Sequence, residues 1–537
     1  MIRSLSFILV AFALCACTRA PAEGPAAPHL RQQGQAVQLI VDNEPFLILG
    51  GELGNSSASS LDYLAPHWET FQALHLNTVL APVYWELIEP QEGSYDFSSV
   101  DGLLRNARAH DMRLVLLWFG SWKNSMSTYA PAWVKRDSAR FPRAFSQAGE
   151  AQEILSPFST ESRDADARVF AALMAHLRET DGAQHTVLMV QVENEIGMLP
   201  SARDHSDGAE QAWAAPVPAA LLAQLESREL RPLWQANGAR ASGSWRELFG
   251  ASDAAEEIFM AWHFAAYTEH VTAAGKAAYN IPMYVNAALI RPGRTPGQYP
   301  SAGPLPHLMT TWRTAAPSID FLTPDIYFPN FTEWLDHYDR DGNAIFIPEA
   351  NRAGAAEAGA NAFFAFGEHD AMGFSPFSID SIGANNDLGA AYATLAELSP
   401  LILEHQGKGT MAGARAPVAF DGGVDETPRA IVLGDYTLTV TTIDPWTPRP
   451  DQNIAAHGGL IIQVGPEDYV IAGSGITVTF APNGEGRAGI DSAWEGRYVD
   501  GAWRPGRLLN GDETHQGRHV RLPPGPWGIQ RVRLYRY

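Results

Sequence analysis

Between residues 46 and 378 the chain repeats one pattern eight times, a short apolar run followed by a longer stretch, several with helical spacing, and this constrains the fold more than any other feature. The apolar runs fall near 46–50, 77–83, 113–118, 187–192, 282–286, 319–326, 344–348 and 373–378. Amphipathic helices are predicted over 61–74, 100–110, 162–179 and 256–278. Runs this apolar read as strands buried on both faces, and strands that alternate with helices lie parallel. Eight such units predict an α/β fold, a closed (β/α)8 TIM barrel, in which functional side chains sit at the carboxyl ends of the strands.

Two of the runs end in a glutamate. Val187 to Val192 opens into Glu193, Asn194 and Glu195, and Ala344 to Pro348 ends on Glu349, followed by Ala350, Asn351 and Arg352. Carboxylates from two strands, brought to one barrel face, are what glycosidic bond cleavage needs: one protonates the leaving oxygen, the other attacks the sugar or activates water. Glu193, two residues before Glu195, is expected on the same pleat face as a supporting group.

The run Gln191-Val192-Glu193-Asn194-Glu195-Ile196-Gly197 resembles the acid/base signature of glycoside hydrolase family 35, the β-galactosidases. Residues 85–97, Trp85 to Phe97, resemble that family's second-strand signature, which families 42 and 5 share in looser form. The resemblance covers roughly residues 50–377. It implies a retaining β-galactosidase with Glu195 as acid/base and Glu349 as nucleophile, on the fourth and seventh strands, and with Asn194 binding the sugar's 2-hydroxyl. Retention requires the two carboxyls about 5–5.5 Å apart, and Glu195 must start protonated near neutral pH. Tyr327 and Arg352 are candidate donors to Glu349, and Asn55, Trp122 and Asn286 are candidate substrate contacts at other strand ends. Trp262 and His263 fall on a helix, with a structural role favoured for His263. The sequence departs from the family at Pro82, where many members have tyrosine, and at Gly120-Ser121-Trp122, where they have an Ala-Glu-Trp turn. These departures resemble a bacterial branch with a C-terminal β-domain that includes enzymes trimming galactose from xyloglucan side chains. A β-glycosidase of another specificity (glucosidase, xylosidase or arabinosidase) and a non-catalytic glycan-binding lipoprotein remain the alternatives.

After His405 the texture changes to Gly, Pro and short alternating runs, which predicts an all-β C-terminal sandwich domain over 412–537 beside a barrel over 36–405. Trp446, Trp494, Trp503 and Trp527 are read as packing against the barrel, with a carbohydrate-binding module as the alternative. At the other end, Met1-Ile2-Arg3 precedes an apolar stretch over 5–14 that closes in Leu14-Cys15-Ala16-Cys17 and resembles a bacterial lipobox. This predicts a lipoprotein signal segment over 1–17, lipidation of Cys17, and a Pro/Ala/Gly-rich tether over 18–35. The expected location is exported, periplasmic or anchored to the outer membrane by that lipid. Cys15 and Cys17 are the only two cysteines, so the mature chain forms no internal disulfide. The formal net charge of -22 excludes nucleic acid and anionic polymers as partners and leaves a neutral oligosaccharide or polysaccharide fragment. No metal-ligand spacing and no nucleotide-binding glycine loop occur, so neither metal nor cofactor is expected.

Overall fold

The computed structural model describes residues 26–537, so the signal segment, Cys17 and the first part of the tether lie outside the described residues. The eight apolar runs form β1 (Ile48–Glu52), β2 (Thr78–Tyr84), β3 (Arg113–Lys123), β4 (Val187–Asn194), β5 (Met283–Ala288), β6 (Phe321–Ile326), β7 (Phe346–Ala350) and β8 (Gly373–Pro376). They pair in parallel in chain order and close into a barrel, β8 returning to β1. β2 and β4 are buried along their whole length because side chains on one face fill the barrel and those on the other meet helices. The helices that matter below are α1 (Ser98–Ala109), α2 (Thr160–Thr180), α3 (Asp253–Ala278), α4 (Phe331–Tyr338), α5 (Ala358–His369) and α6 (Asp387–His405). The stretch 61–74 is not one helix: a 3-10 turn over Ala65–His67 separates two short helices, and Pro66, which lacks a backbone N–H, sits in that turn. Among the described residues no helix is long and apolar enough to cross a membrane.

A small antiparallel sheet, His29–Gln33, Ala36–Val41 and Glu44–Phe46, covers the amino end of the barrel. Asp42 fixes it there, with one carboxylate oxygen on Arg113 at the start of β3 (2.9 Å) and the other on His185 just before β4 (2.8 Å). The expected tether over 18–35 is therefore corrected from His29 onward. That strand is polar in sequence and is held by its backbone ladder to Ala36–Val41.

The motif over Trp85–Phe97 builds a turn on the rim of β2. The Trp85 indole N–H and the Gly93 N–H both donate to the buried Glu89 carboxylate (3.0 and 2.7 Å), while Trp133 Nε1 donates to the Glu89 carbonyl. From this rim the Tyr84 hydroxyl donates to the carbonyl of Asn55 (2.8 Å), which sets the position of the loop after β1.

The C-terminal region contains β9 (Met411–Arg415), β10 (Arg429–Leu433), β11 (Tyr436–Thr441), β12 (Gly458–Gln463), β13 (Asp468–Ser474), β14 (Ile476–Pro482), β15 (Ala488–Val499), β16 (Ala502–Leu509), β17 (His519–Leu522) and β18 (Gly528–Arg536). A six-stranded antiparallel sheet runs β9-β12-β13-β18-β15-β16 and a four-stranded one β10-β11-β14-β17. Alternation along β12 and β13 explains how they stack: Ile461, Tyr469 and Ile471 face the core between the two sheets, while Leu460, Ile462, Val470 and Ala472 join the core of the barrel. β12 and β13 are thus buried on both faces, with α5 and α6 on the outer side of the sheet. Trp527 lies parallel to the Phe363 ring of α5 (4.8 Å) and donates to Asp387 at the start of α6. Trp503 also packs on the barrel's core. Trp446 does not follow that expectation: it is half-exposed and lies beneath the Arg521 guanidinium (4.6 Å).

Candidate active site

At the carboxyl end of the barrel the strands converge on one pocket of about 540 Å³, within the range of small-molecule sites. Its floor holds Glu195 after β4, Asp325 on β6, Glu349 on β7 and Lys123 at the end of β3, and its walls include Asn55, Asn124, Tyr327 and Phe377. Glu195 and Glu349 are each 4% exposed, and one carboxylate oxygen from each of Glu195, Asp325 and Glu349 lies within 4.8 Å of the other two. Asp325 and Glu349 are register partners on adjacent parallel strands, which forces their proximity.

The backbone aims Glu195 with unusual dihedrals. Glu193 (φ 62°) and Glu195 (φ 44°) both occupy the left-handed region, which costs a non-glycine residue about 1–2 kcal/mol. The ladder between β3 and β4 shifts register over the same stretch. Asn286 holds the result in place, its Oδ1 accepting from the Glu195 N–H (2.9 Å) and its Nδ2 donating to Asp325 (2.6 Å). The Glu195 carboxylate accepts from Asn124 Nδ2 and stands 3.9 Å from Lys123 Nζ. Glu349 accepts from the Tyr327 hydroxyl at one oxygen, while its other oxygen has no partner among the described residues.

Burial and the neighbouring Glu349 charge raise the Glu195 pKa to about 7, against the pull of Lys123 and a hydrogen bond with Asp325. Burial also raises Asp325 and Glu52 well above the usual carboxylate range, with neighbouring carboxylates adding to it. Lys123 is itself buried, yet the surrounding Glu349, Glu195, Glu52 and Asp325 keep its ammonium favoured. Glu195, Asp325 and Glu349 also form the only group of three among the described residues that could offer oxygens to a cation, a set that sequence spacing does not reveal. Lys123 already supplies positive charge beside it.

The candidate contacts divide. Tyr327 and Asn55 line the pocket, and Asn55 Oδ1 is buried without a partner. Asn194 is fully buried behind it, with both side-chain polar atoms unpartnered among the described residues. Asn286 does not line the pocket and acts on the carboxylates instead. Trp122 is a correction: its ring is 0% exposed, packs on Phe264 and Tyr267, and donates to the Leu155 carbonyl (3.1 Å). Arg352 is exposed and makes no ion pair with Glu349.

Glu193 is also re-assigned. Its positive φ turns it out of the barrel, where it accepts from the Trp122 N–H (2.8 Å) and hydrogen-bonds Asp166 of α2. Asp166 in turn accepts from Trp118 Nε1 (2.9 Å) and Ser121 Oγ (2.6 Å), with Tyr267 closing the group. Gly120 belongs to this network, since a Cβ there would fall 2.2 Å from Trp118 Nε1. His263 is partly buried against Phe158 and Phe259, and desolvation pushes its pKa down to about 3, so it is structural. The site residues not singled out from sequence are Lys123, Asn124, Glu52 and Asp325.

With this geometry in hand, residues 62–230 match the glycoside hydrolase 42 family model, described as Beta-galactosidase. That span is β-galactosidase-like. It includes Glu195 and ends before Glu349. The match corrects the expectation of family 35 that the motif at Gln191–Gly197 had raised. Residues 388–521 match a domain of unknown function (DUF5597), which takes in α6 as well as β9–β16 and most of β17. A β-galactosidase of Xanthomonas manihotis is 32% identical over 85 residues, 15% of this chain and 14% of that protein. Among solved structures, the β-galactosidase of the psychrophilic Marinomonas ef1 shares 13% identity at a TM-score of 0.46, covering 67% of this chain and 60% of that one. The β-galactosidase of Bacillus circulans sp. alkalophilus shares 14% at a TM-score of 0.46, covering 67% and 57%. The chain thus spans about three fifths of these structures and a seventh of the curated relative.

Proposed function

We propose that this chain is a β-galactosidase that hydrolyses terminal β-galactosyl residues with retention, Glu349 acting as nucleophile and Glu195 as acid/base. The observation that carries the reading is the pair of buried glutamates on β4 and β7 with oxygens within 4.8 Å, close to the spacing of retaining enzymes and well short of the 6.5–9.5 Å that an interposed water needs. A Glu349 oxygen forms a bond to the anomeric carbon as the glycosidic C–O bond breaks, and Glu195 gives its proton to the departing oxygen. Water then attacks the same carbon, returning its proton to Glu195 and freeing Glu349. The raised pKa of Glu195 keeps that proton available near neutrality. Asn194, whose side chain has no partner among the described residues, is assigned to the 2-hydroxyl in this proposal.

The galactosyl specificity draws on the family 42 match, and xyloglucan side chains are the natural glycan in this proposal. Export and a lipid anchor on Cys17 complete it. The test is sugar release from chromogenic β-galactoside, β-glucoside, β-xyloside and α-arabinoside, with Glu349→Gln in parallel. Galactose release that disappears in the variant is the expected result; preference for another sugar refutes the galactosyl assignment, and unchanged activity in Glu349→Gln refutes the nucleophile. For the anchor, the wild type is expected in the detergent-soluble membrane fraction and Cys17→Ala outside it.

A further inference from the structure

We infer that Phe420, on a hairpin of the C-terminal region, extends an aromatic platform at the mouth of the pocket that binds the sugar ring on the leaving-group side of the scissile bond. This deepens the functional proposal above and rests on it. The chain leaves β9 and makes a tight hairpin: Asp425 N donates to the Pro417 carbonyl (2.8 Å), Ala419 N to that of Gly423 (2.8 Å), and Gly422 N back to Ala419 (2.9 Å). Gly422 takes φ 88°, which the turn requires. Phe420 stands at the tip beside exposed Asp421 and Gly422, and at 39% exposure it is the most open phenylalanine among the described residues.

Its position gives that exposure a meaning. The Phe420 ring meets Phe328 edge-on at 5.2 Å, and Phe328 lines the pocket together with Tyr327 and Phe377, whose rings are themselves 6.2 Å apart. The hairpin is pinned at its base as well, because the buried Arg415 places its guanidinium over the ring of Phe331, three residues beyond Phe328, at 5.7 Å. The loop after β6 is therefore gripped at two points by the C-terminal region. The loop after β5 also lines the pocket, with Arg291, Arg294 and Gln298.

The lining thus offers both aromatic and hydrogen-bonding side chains. A pyranose ring has the matching pair of surfaces, a C–H face and a rim of hydroxyls, and stacks its face on aromatic rings. With the two glutamates on the floor holding the galactosyl unit, whatever projects through the mouth is the rest of the glycan.

The experiment compares kcat/KM for a galactosylated xyloglucan oligosaccharide, lactose and methyl β-galactoside in wild type, Phe420→Ala, Phe420→Leu and Phe420→Trp. The ratio of oligosaccharide to methyl glycoside is expected to fall about 3- to 10-fold in the Ala and Leu proteins, mainly through KM, and to be kept by Trp. Leu retains apolar bulk without a flat face, so it separates stacking from packing. An equal loss on all three substrates, or a constant ratio in all four proteins, overturns the platform and leaves the β-galactosidase reading standing. A wild type that releases galactose from none of the three overturns that reading, and the platform with it.

Discussion

Two buried acidic clusters sit on opposite sides of the stretch from Val192 to Ile196, and they differ in how their atoms are satisfied. Behind the barrel, Glu193 and Asp166 are wrapped by Trp118, Ser121, Tyr267 and the Trp122 amide, which match both Asp166 oxygens and one Glu193 oxygen to donors and leave Glu193 Oε1 as the one exception among the described residues. Inside it, among the described residues, Glu52 has neither carboxyl oxygen partnered, Asp325 and Glu349 each leave one unpartnered, and Asn194 leaves both polar atoms unpartnered. Burying such groups unpaired costs about 1–3 kcal/mol each, so the second cluster is an expensive arrangement that the rest of the barrel must offset. The same residue types therefore do different jobs: a closed hydrogen-bond network stabilises, while an open one facing a pocket is poised to bind and react.

The comparison breaks most visibly at the open cluster. Glu349→Gln is expected to lower kcat on a β-galactoside on the order of 10³-fold or more, since the carboxylate that would form the covalent bond is gone. Glu195→Gln should lower it by roughly 10²–10⁴-fold when the leaving group is a sugar, and by much less for an aryl leaving group that needs no proton. An equal loss on both kinds of leaving group would remove Glu195 from the acid role.

At the closed cluster the expected signs are reversed. Asp166→Ala strips the partner from Trp118 Nε1 and leaves Ser121 Oγ with Tyr267 alone, and should lower unfolding stability by about 2–3 kcal/mol, read as a shift of the urea midpoint. Its kcat should stay within about fivefold of wild type, because nothing in that network lines the pocket. A loss of 10²-fold or more would join the two clusters into one functional unit and end the distinction drawn above.

How far the sequence already displayed this arrangement follows from the same physics. Barrel strands are buried on both sides, so they show as unbroken apolar runs, and Glu195 and Glu349 are legible because each ends one. Glu52 and Asp325 end apolar runs too, but a single acid after a strand carries no chemical signal until the fold sets it beside others. Trp122 falls outside the pocket because β3 continues to Lys123 instead of stopping near Trp118; the longer strand sends Trp122 outward and Lys123 to the pocket floor. Glu193 leaves the face that alternation predicts because alternation fails where φ turns positive. In the C-terminal region β15 and β16 carry no clear apolar alternation because their faces are polar and partly exposed, and β9 carries little because its residues are small. The 388–521 match straddles α6 and the sheets, which fits a larger sheet whose outer face is the floor for α5 and α6.

The smallest expected effect on turnover is a displacement along the pH axis, and it distinguishes the clusters without removing either. Glu195 is protonated below its pKa of about 7, so kcat/KM should fall as pH rises through that value. Lys123 holds that pKa down, and Lys123→Met should move the alkaline limb to higher pH even as it lowers the maximum, whereas Asp166→Asn should leave the limb in place. Stability follows the same titration with a defined sign. The folded-state pKa of Glu195 lies above its unfolded value near 4.5, so its contribution is complete below that value and is lost as pH rises toward and through about 7. The loss amounts to about 2–4 kcal/mol by pH 8. Glu195→Gln, which cannot ionise, should therefore unfold at a higher urea concentration than wild type at pH 8 and show no such gain at pH 4.5. Equal stability of the two proteins at pH 8 would mean that Glu195 ionises there without cost, and the pocket floor would then be far wetter than its burial implies.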